Sequence, residues 1–483
     1  MITFLISLVA LIVGYHVYGR IVERIFGPDD RETPAVRIND GVDFVVLPSW
    51  KIFMIQFLNI AGTGPIFGAI MGVKFGPAAY LWIVFGCIFG GAVHDFLSGM
   101  LSIRHNGASY TELVGKYLGR RTERILLVFS ILVLLMVGAV FVYSPAMILG
   151  NMCGGSETAF MIWVAVIFIY YILATMLPID KIIGRIYPLF AFALLFMAVS
   201  LALVLFLKWP SLPEVWDIGT TQNLTGQALV PCLFITIACG AVSGFHATQS
   251  PLMARCMKSE RSGRPIFYGA MITEGIVALI WATIGSWFFY DGGYSTVGGT
   301  MTTAAPRVVS LVANGWLGVA GGILALLGVV AAPITSGDTA FRSARLIIAD
   351  FLHFSQHSLR NRFIIAVPMF VVAALLLWYN VADEDGFNVV WGYFGWCNQT
   401  LSCFTLWTIT VYLALNRKPY VITLVPALFM TTVCVTFFCI SKNGFAMPAP
   451  VAYAIGGAVL VVSLIWFVMW LTKTRRTTTK LSD

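Results

Sequence analysis

Apolar runs of about 20 residues, separated by short polar stretches, recur along the whole of this chain and leave it few folds to adopt. A helix of that length crosses the hydrocarbon core of a bilayer, and inside lipid a helix satisfies every backbone polar group internally. Thirteen such runs are readable, at 2–19, 51–73, 77–101, 122–149, 159–177, 185–208, 227–250, 264–290, 312–337, 363–381, 389–415, 419–440 and 449–472. Composition agrees: 59% of the 483 residues are hydrophobic and 11% charged, with a mean hydropathy of +0.87. Soluble domains carry about 25% charged residues, so a water-soluble core of this size is excluded. The chain reads as an all-α polytopic membrane protein with about 13 transmembrane helices.

Lysine and arginine orient the spans. Of the 30 Lys and Arg residues, 26 lie in the odd-numbered connections and the tail, and the others are Lys74, Lys208, Arg307 and Lys442. Positive charge favours the cytoplasmic side, which puts the N-terminus outside and the C-terminus inside. The net charge of +8 is thus a topology signal, and no basic run argues for nucleic acid. The first run lacks a basic n-region and a cleavage site and reads as a retained helix. The nine cysteines form no C-x-x-C pair and read as small core residues. The segment GASYTELVGKYLGRRTER suggests an interfacial helix starting near Ser109 or Thr111.

Two spans are interrupted by small residues. FMIQFLNIAGTGPIFGAIMG carries Gly62, Thr63, Gly64 and Pro65 at its centre, and LFITIACGAVSGFHATQS carries Gly240, Ser243 and Gly244. Glycine and proline weaken a helix there, and unwound backbone is tolerated in a membrane only where protein or a watery cavity receives it. Paired breaks in corresponding positions mark the central site of a secondary transporter. Spans 2–6 and 7–11 then form two five-helix units of opposite topology, a 5+5 inverted repeat. The expected organisation is a first helix and cytoplasmic linker (1–50), then a first repeat broken at 61–65 (51–208). A second repeat broken at 239–246 (227–415) is followed by two peripheral helices and a basic cytoplasmic tail (419–483).

At these residues the chain resembles the carbon starvation protein A (CstA) family of bacterial transporters. The resemblance rests on TPAVRINDGVDF (33–44), the IAGTGP break, GGAVHDF (90–96), FITIACGAVSGFHA (234–247), TSGDTAFRSARLIIAD (335–350) and FGWCNQ (394–399). It implies a LeuT-like (APC-type) core in the bacterial inner membrane and proton-driven import of pyruvate or a similar small monocarboxylate. Uptake of small peptides or amino acids, with sodium as an alternative coupling ion, is the second expectation, and a membrane nutrient sensor the third. The chain looks like a short family member. Larger members carry a His-His pair where this chain has Ile55 and Gln56, so a coupling role of that pair does not transfer.

Pro65 suits the first turn of a restarted helix, whose positive end and amides around Thr63, Gly64 and Ile66 favour an anion. No arginine lies near either break, so a carboxylate would be held by amides and neutral side chains. The expected substrate-binding residues are Gln56, Asn59, Gly62, Thr63, Gly64, Gly240, Ser243, Gly244, His246 and Asn398. Asp95, His246, Glu274 and Asp338 are the expected proton-coupling groups, since intramembrane ionisable residues are usually functional. The competing readings are ion pairs, Asp95 with Arg104 and Asp338 with Arg342, and a structural hydrogen bond for His246. Thr335 and Ser336 form the alternative sodium site, because the repeat register lays span 9 against the first break. No H-E-x-x-H or clustered ligand spacing supports an enzyme, and no cofactor is expected. The expected partners are a small carboxylate, a proton and membrane lipid.

Overall fold

The chain folds as a bundle of helices arranged around two unwound crossings. The structure is a computed structural model describing residues 1–41, 43–176, 179–354, 358–383 and 386–480. The connection at 177–178 and the last three residues of the expected tail lie outside this set. Among the described residues the only β feature is an isolated bridge between Leu47 and Met257, which ties the linker to the end of the second broken span.

Helix α1 (Ile2–His16) leads to the first broken span, α2 (Ser49–Ile60) and α3 (Gly64–Phe75), whose axes differ by 54°. The ladder stops when Ala61 leaves helical geometry at ψ 54°, and it restarts as the amides of Ile66 and Phe67 turn back to the Thr63 carbonyl. Helix α4 (Ala78–Arg104) carries a wide π-turn over Gly86–Gly91. A short amphipathic helix, α5 (Tyr110–Leu118), is capped by Ser109, as the sequence suggested. Helices α6 (Arg120–Met152), α7 (Glu157–Met176) and α8 (Ile179–Lys208) follow.

The second broken span is α9 (Leu229–Thr236) and α10 (Phe245–Ala254), separated by the unwound residues 237–244. Beyond it come α11 (Gly269–Tyr290), α12 (Ala305–Leu352), α13 (Leu359–Ala382), α14 (Gly386–Leu415), α15 (Val421–Ile440) and α16 (Ala449–Lys480). The ninth apolar run is broken near its start, at Gly318, whose φ of +67° only glycine adopts freely.

Ten described helices are long and apolar enough to cross a membrane, or eleven when the bent pair α2/α3 is taken as one span. The seventh expected run is divided between two helices too short for that measure, and the eleventh coincides with α14. Burial sorts the helices. Over four-fifths of the best apolar window is buried in α4, α11 and α12, against 17% in α16. The first group packs around α2 and α10 while α15 and α16 form a peripheral pair, so the crossings are enclosed by protein.

Candidate functional site

Glycine brings the two breaks into contact. A side chain at Gly64 would lie 2.4 Å from Cβ and Sγ of Cys239, and one at Gly240, itself at φ +89°, would lie 2.5 Å from Ala278. Within the π-turn of α4, a side chain at Gly91 would strike the Ala241 carbonyl at 2.2 Å, and one at Gly90 the Val242 side chain at 2.5 Å. The glycine-rich run GCIFGG therefore presses its backbone against the second break, and it delivers His94 and Asp95 one turn later.

There a continuous line of fully buried titratable groups forms. His94 Nδ1 lies 2.7 Å from Asp95 Oδ1, Asp95 Oδ2 lies 2.9 Å from His246 Nδ1, and His246 Nε2 lies 3.5 Å from Glu274 Oε2. Asp95 thus fixes the ring of His246 and aims its Nε2 at Glu274. Neither oxygen of Glu274, nor Nε2 of either histidine, has a hydrogen-bond partner among the described residues. Cys239 Sγ joins His246 and Glu274 in a group whose donor atoms lie within 4.8 Å of one another. Such a sulfur, nitrogen and oxygen set has the chemistry to hold a metal ion as well as to pass a proton.

The first break contributes neutral groups. The side-chain polar atoms of Gln56, Asn59 and Thr63 are fully buried and find no partner among the described residues. Native interiors rarely leave several such atoms unsatisfied, which makes these three side chains candidate site residues. Ser336 on α12 meets the same break, donating to the carbonyls of Asn59 at 2.9 Å and Leu58 at 3.2 Å. Thr335 instead donates to Ala332 within its own helix at 2.8 Å. The register expectation thus places Ser336 at the break but turns the Thr335 hydroxyl away.

The remaining expected residues divide. Asp95 faces histidines, and Arg104 instead pairs with Glu260 at 3.1 Å, which corrects the Asp95–Arg104 alternative. Asp338 Oδ2 accepts from Tyr187 on α8 at 2.5 Å, while Arg342 reaches the Ala174 carbonyl on α7 at 2.8 Å. Asn398 exchanges hydrogen bonds with Ser243 at 3.1–3.2 Å and accepts from the Phe245 amide at 2.6 Å, so it caps α10. A side chain at Gly244 would meet the α14 backbone at 2.2 Å, and one at Gly62 would meet Phe141 and Ser336, so both are close-approach positions. The Ile66 amide, expected to face the break, is taken by Thr63. Cys239 and Tyr187 were missed. Cys239 was legible from its place inside the second break, whereas nothing near Tyr187 signals a partner 151 residues away.

Buried crossings lined with polar groups, in a multi-pass membrane bundle, define a membrane transporter. The chain belongs to the carbon starvation protein CstA family, whose profile matches residues 1–162, 151–320 and 317–437. A Haemophilus influenzae protein described as an uncharacterized membrane protein is 46% identical over 339 residues, covering 60% of this chain and 91% of that one. The Bacillus subtilis peptide transporter CstA is 25% identical over 95% of this chain and 93% of its own. The Escherichia coli pyruvate/proton symporter BtsT is 29% identical over 57% of this chain and 47% of its own. In fold, the chain is similar to an Eremococcus coleocola manganese transporter, with a TM-score of 0.60 at 11% identity over 90% of this chain and 99% of that one.

Proposed function

We propose that this protein is a secondary transporter that imports pyruvate or a similar small monocarboxylate by proton symport across the bacterial inner membrane. The observation that carries this reading is the pairing of two unlike groups at the touching breaks. Gln56, Asn59 and Thr63 offer neutral hydrogen bonds to an anion, while His94, Asp95, His246 and Glu274 form a line for a proton, with 3.5 Å between its last two groups. Substrate reaches the trio together with Gly62, Gly64, Gly240 and Ser243, and Gly244 and Asn398 hold the second break in position. Protonation of His246 adds a positive charge beside the carboxylate, so proton and anion favour each other's binding. Asp338, held by Tyr187, is a second protonatable group on the helix that braces the first break. The architecture that fits is thirteen crossings, with spans 2–6 and 7–11 as a LeuT-like 5+5 inverted repeat. The basic face is cytoplasmic and the N-terminus lies outside.

Protons are favoured over sodium because four buried titratable groups line up at the crossing, whereas of the expected sodium pair only Ser336 bonds to the first break. A second reading, uptake of small peptides or amino acids, draws on the buried Glu274 carboxylate beside His246, which has the charge to receive an ammonium group. Uptake of labelled pyruvate into proteoliposomes under imposed proton and sodium gradients tests the proposal. Proton-driven accumulation abolished by an uncoupler is expected, and accumulation with sodium alone overturns it. Glu274→Gln separates the two substrates. It is expected to abolish proton-driven accumulation while leaving pyruvate exchange, whereas selective loss of dipeptide binding would establish the peptide reading.

A further inference from the structure

A cavity lies on the face opposite the basic one. It has a volume of about 190 Å³, is open on one side, and is lined by Phe67 and Lys74 of α3, Phe289 of α11, the segment 302–306 and Trp391 of α14. Lys74 is half-buried, and its ammonium sits over the Phe289 ring at 4.3 Å from the centroid. No carboxylate of the described residues lies within 4 Å of it. Its backbone is held in place, because its carbonyl accepts from the Leu224 amide at 2.8 Å and the Tyr290 hydroxyl at 3.0 Å. Withdrawing a lysine from water without an acidic partner is unfavourable, and an aromatic face offsets only part of that loss.

The cavity leads toward the breaks. From two of its lining residues a chain of rings runs inward: Phe67 against Trp391 at 6.4 Å, Trp391 against Phe394 at 5.8 Å, Phe394 against Phe141 at 6.3 Å, and Phe141 against Phe245 at 6.4 Å. Phe245 precedes His246, and Phe141 lies where a side chain on Gly62 would fall. We infer that this cavity is an outer binding site for a small monocarboxylate anion, in which Lys74 receives the carboxylate and Phe67, Phe289 and Trp391 receive its short carbon chain. The site is filled before the chain of rings parts to admit the anion to the breaks. Such a site extends the import reading on which this inference rests.

The test reads Lys74 directly. Protein in proteoliposomes is treated with a membrane-impermeant amine-reactive ester, and modification of Lys74 and of exposed Lys442 is followed by peptide mass spectrometry. Pyruvate at about ten times its Kd is expected to slow labelling of Lys74 about tenfold and to leave Lys442 unchanged. The protection is expected to persist in Asn59→Ala, which lacks part of the central trio. Equal labelling with and without pyruvate overturns the inference, as does protection that disappears in Asn59→Ala. In uptake, Lys74→Gln is expected to raise KM three- to tenfold, roughly, with little change in the maximal rate. An unchanged KM counts against the site. Protection of Lys74 in protein that shows no pyruvate uptake would retain the outer site and reject the import reading, so the two fail separately.

Discussion

Asp95 holds one histidine with each of its oxygens, 2.7 Å to His94 and 2.9 Å to His246, and this arrangement gives the site its direction. With Nδ1 of His246 fixed, only Nε2 is left to exchange a proton with Glu274. A carboxylate that orients an imidazole acts on which nitrogen carries the proton, as well as on charge. Asp95→Asn preserves the size of the side chain but removes the charge that holds the ring. Proton-driven accumulation is expected to fall by about a hundredfold or more, the scale on which positioned proton carriers act. Exchange of labelled for unlabelled pyruvate, which needs no net proton movement, is expected to survive. Parallel loss of accumulation and exchange would make Asp95 a structural residue.

At the scale of elements, the two broken spans work because they touch. Gly64 on α3 abuts Cys239 in the second break, and the glycines of the α4 π-turn press on Ala241 and Val242. Gly64→Ala puts a methyl group where Cys239 already stands, and overpacking of this kind costs about 1–3 kcal/mol. Thermal unfolding in detergent is expected at a lower temperature, with uptake reduced in step. Adding Cys239→Gly clears both clashing atoms and is expected to restore stability. Failure of the double variant to recover would show that the close approach to Cys239 is not what requires glycine at 64.

For the whole molecule, charge and exposure make a prediction about orientation. Cys153, at the end of α6, is exposed, while the other eight cysteines are buried. The Lys and Arg distribution puts the connection after α6 on the outer side. A membrane-impermeant maleimide added to intact spheroplasts is therefore expected to label the wild-type protein, and Cys153→Ser to abolish the labelling. Labelling only after the membrane is opened would invert the topology and place the Lys74 cavity on the cytoplasmic side.

The amino-acid order by itself determined the features that depend on neighbours along the chain. Runs of apolar residues specify helices in lipid, Lys and Arg specify sidedness, and glycine with proline specifies where a span unwinds; each effect acts within a few turns. The breaks were legible for that reason, the second lying at 237–244 rather than the expected 239–246, as were His246 and Glu274 as ionisable residues in apolar surroundings. Only the tertiary structure decided partners. Asp95 is bonded to a histidine 151 residues away rather than to Arg104 further along its own helix, and Asp338 is bonded to Tyr187 on another helix. Asn398, equally compatible with substrate binding by sequence, is engaged in capping α10. Hydrogen bonds between buried groups reach only about 3 Å. Which donors and acceptors come that close depends on how helices far apart in sequence cross, and here those crossings rest on small residues such as Gly64, Gly91 and Gly244.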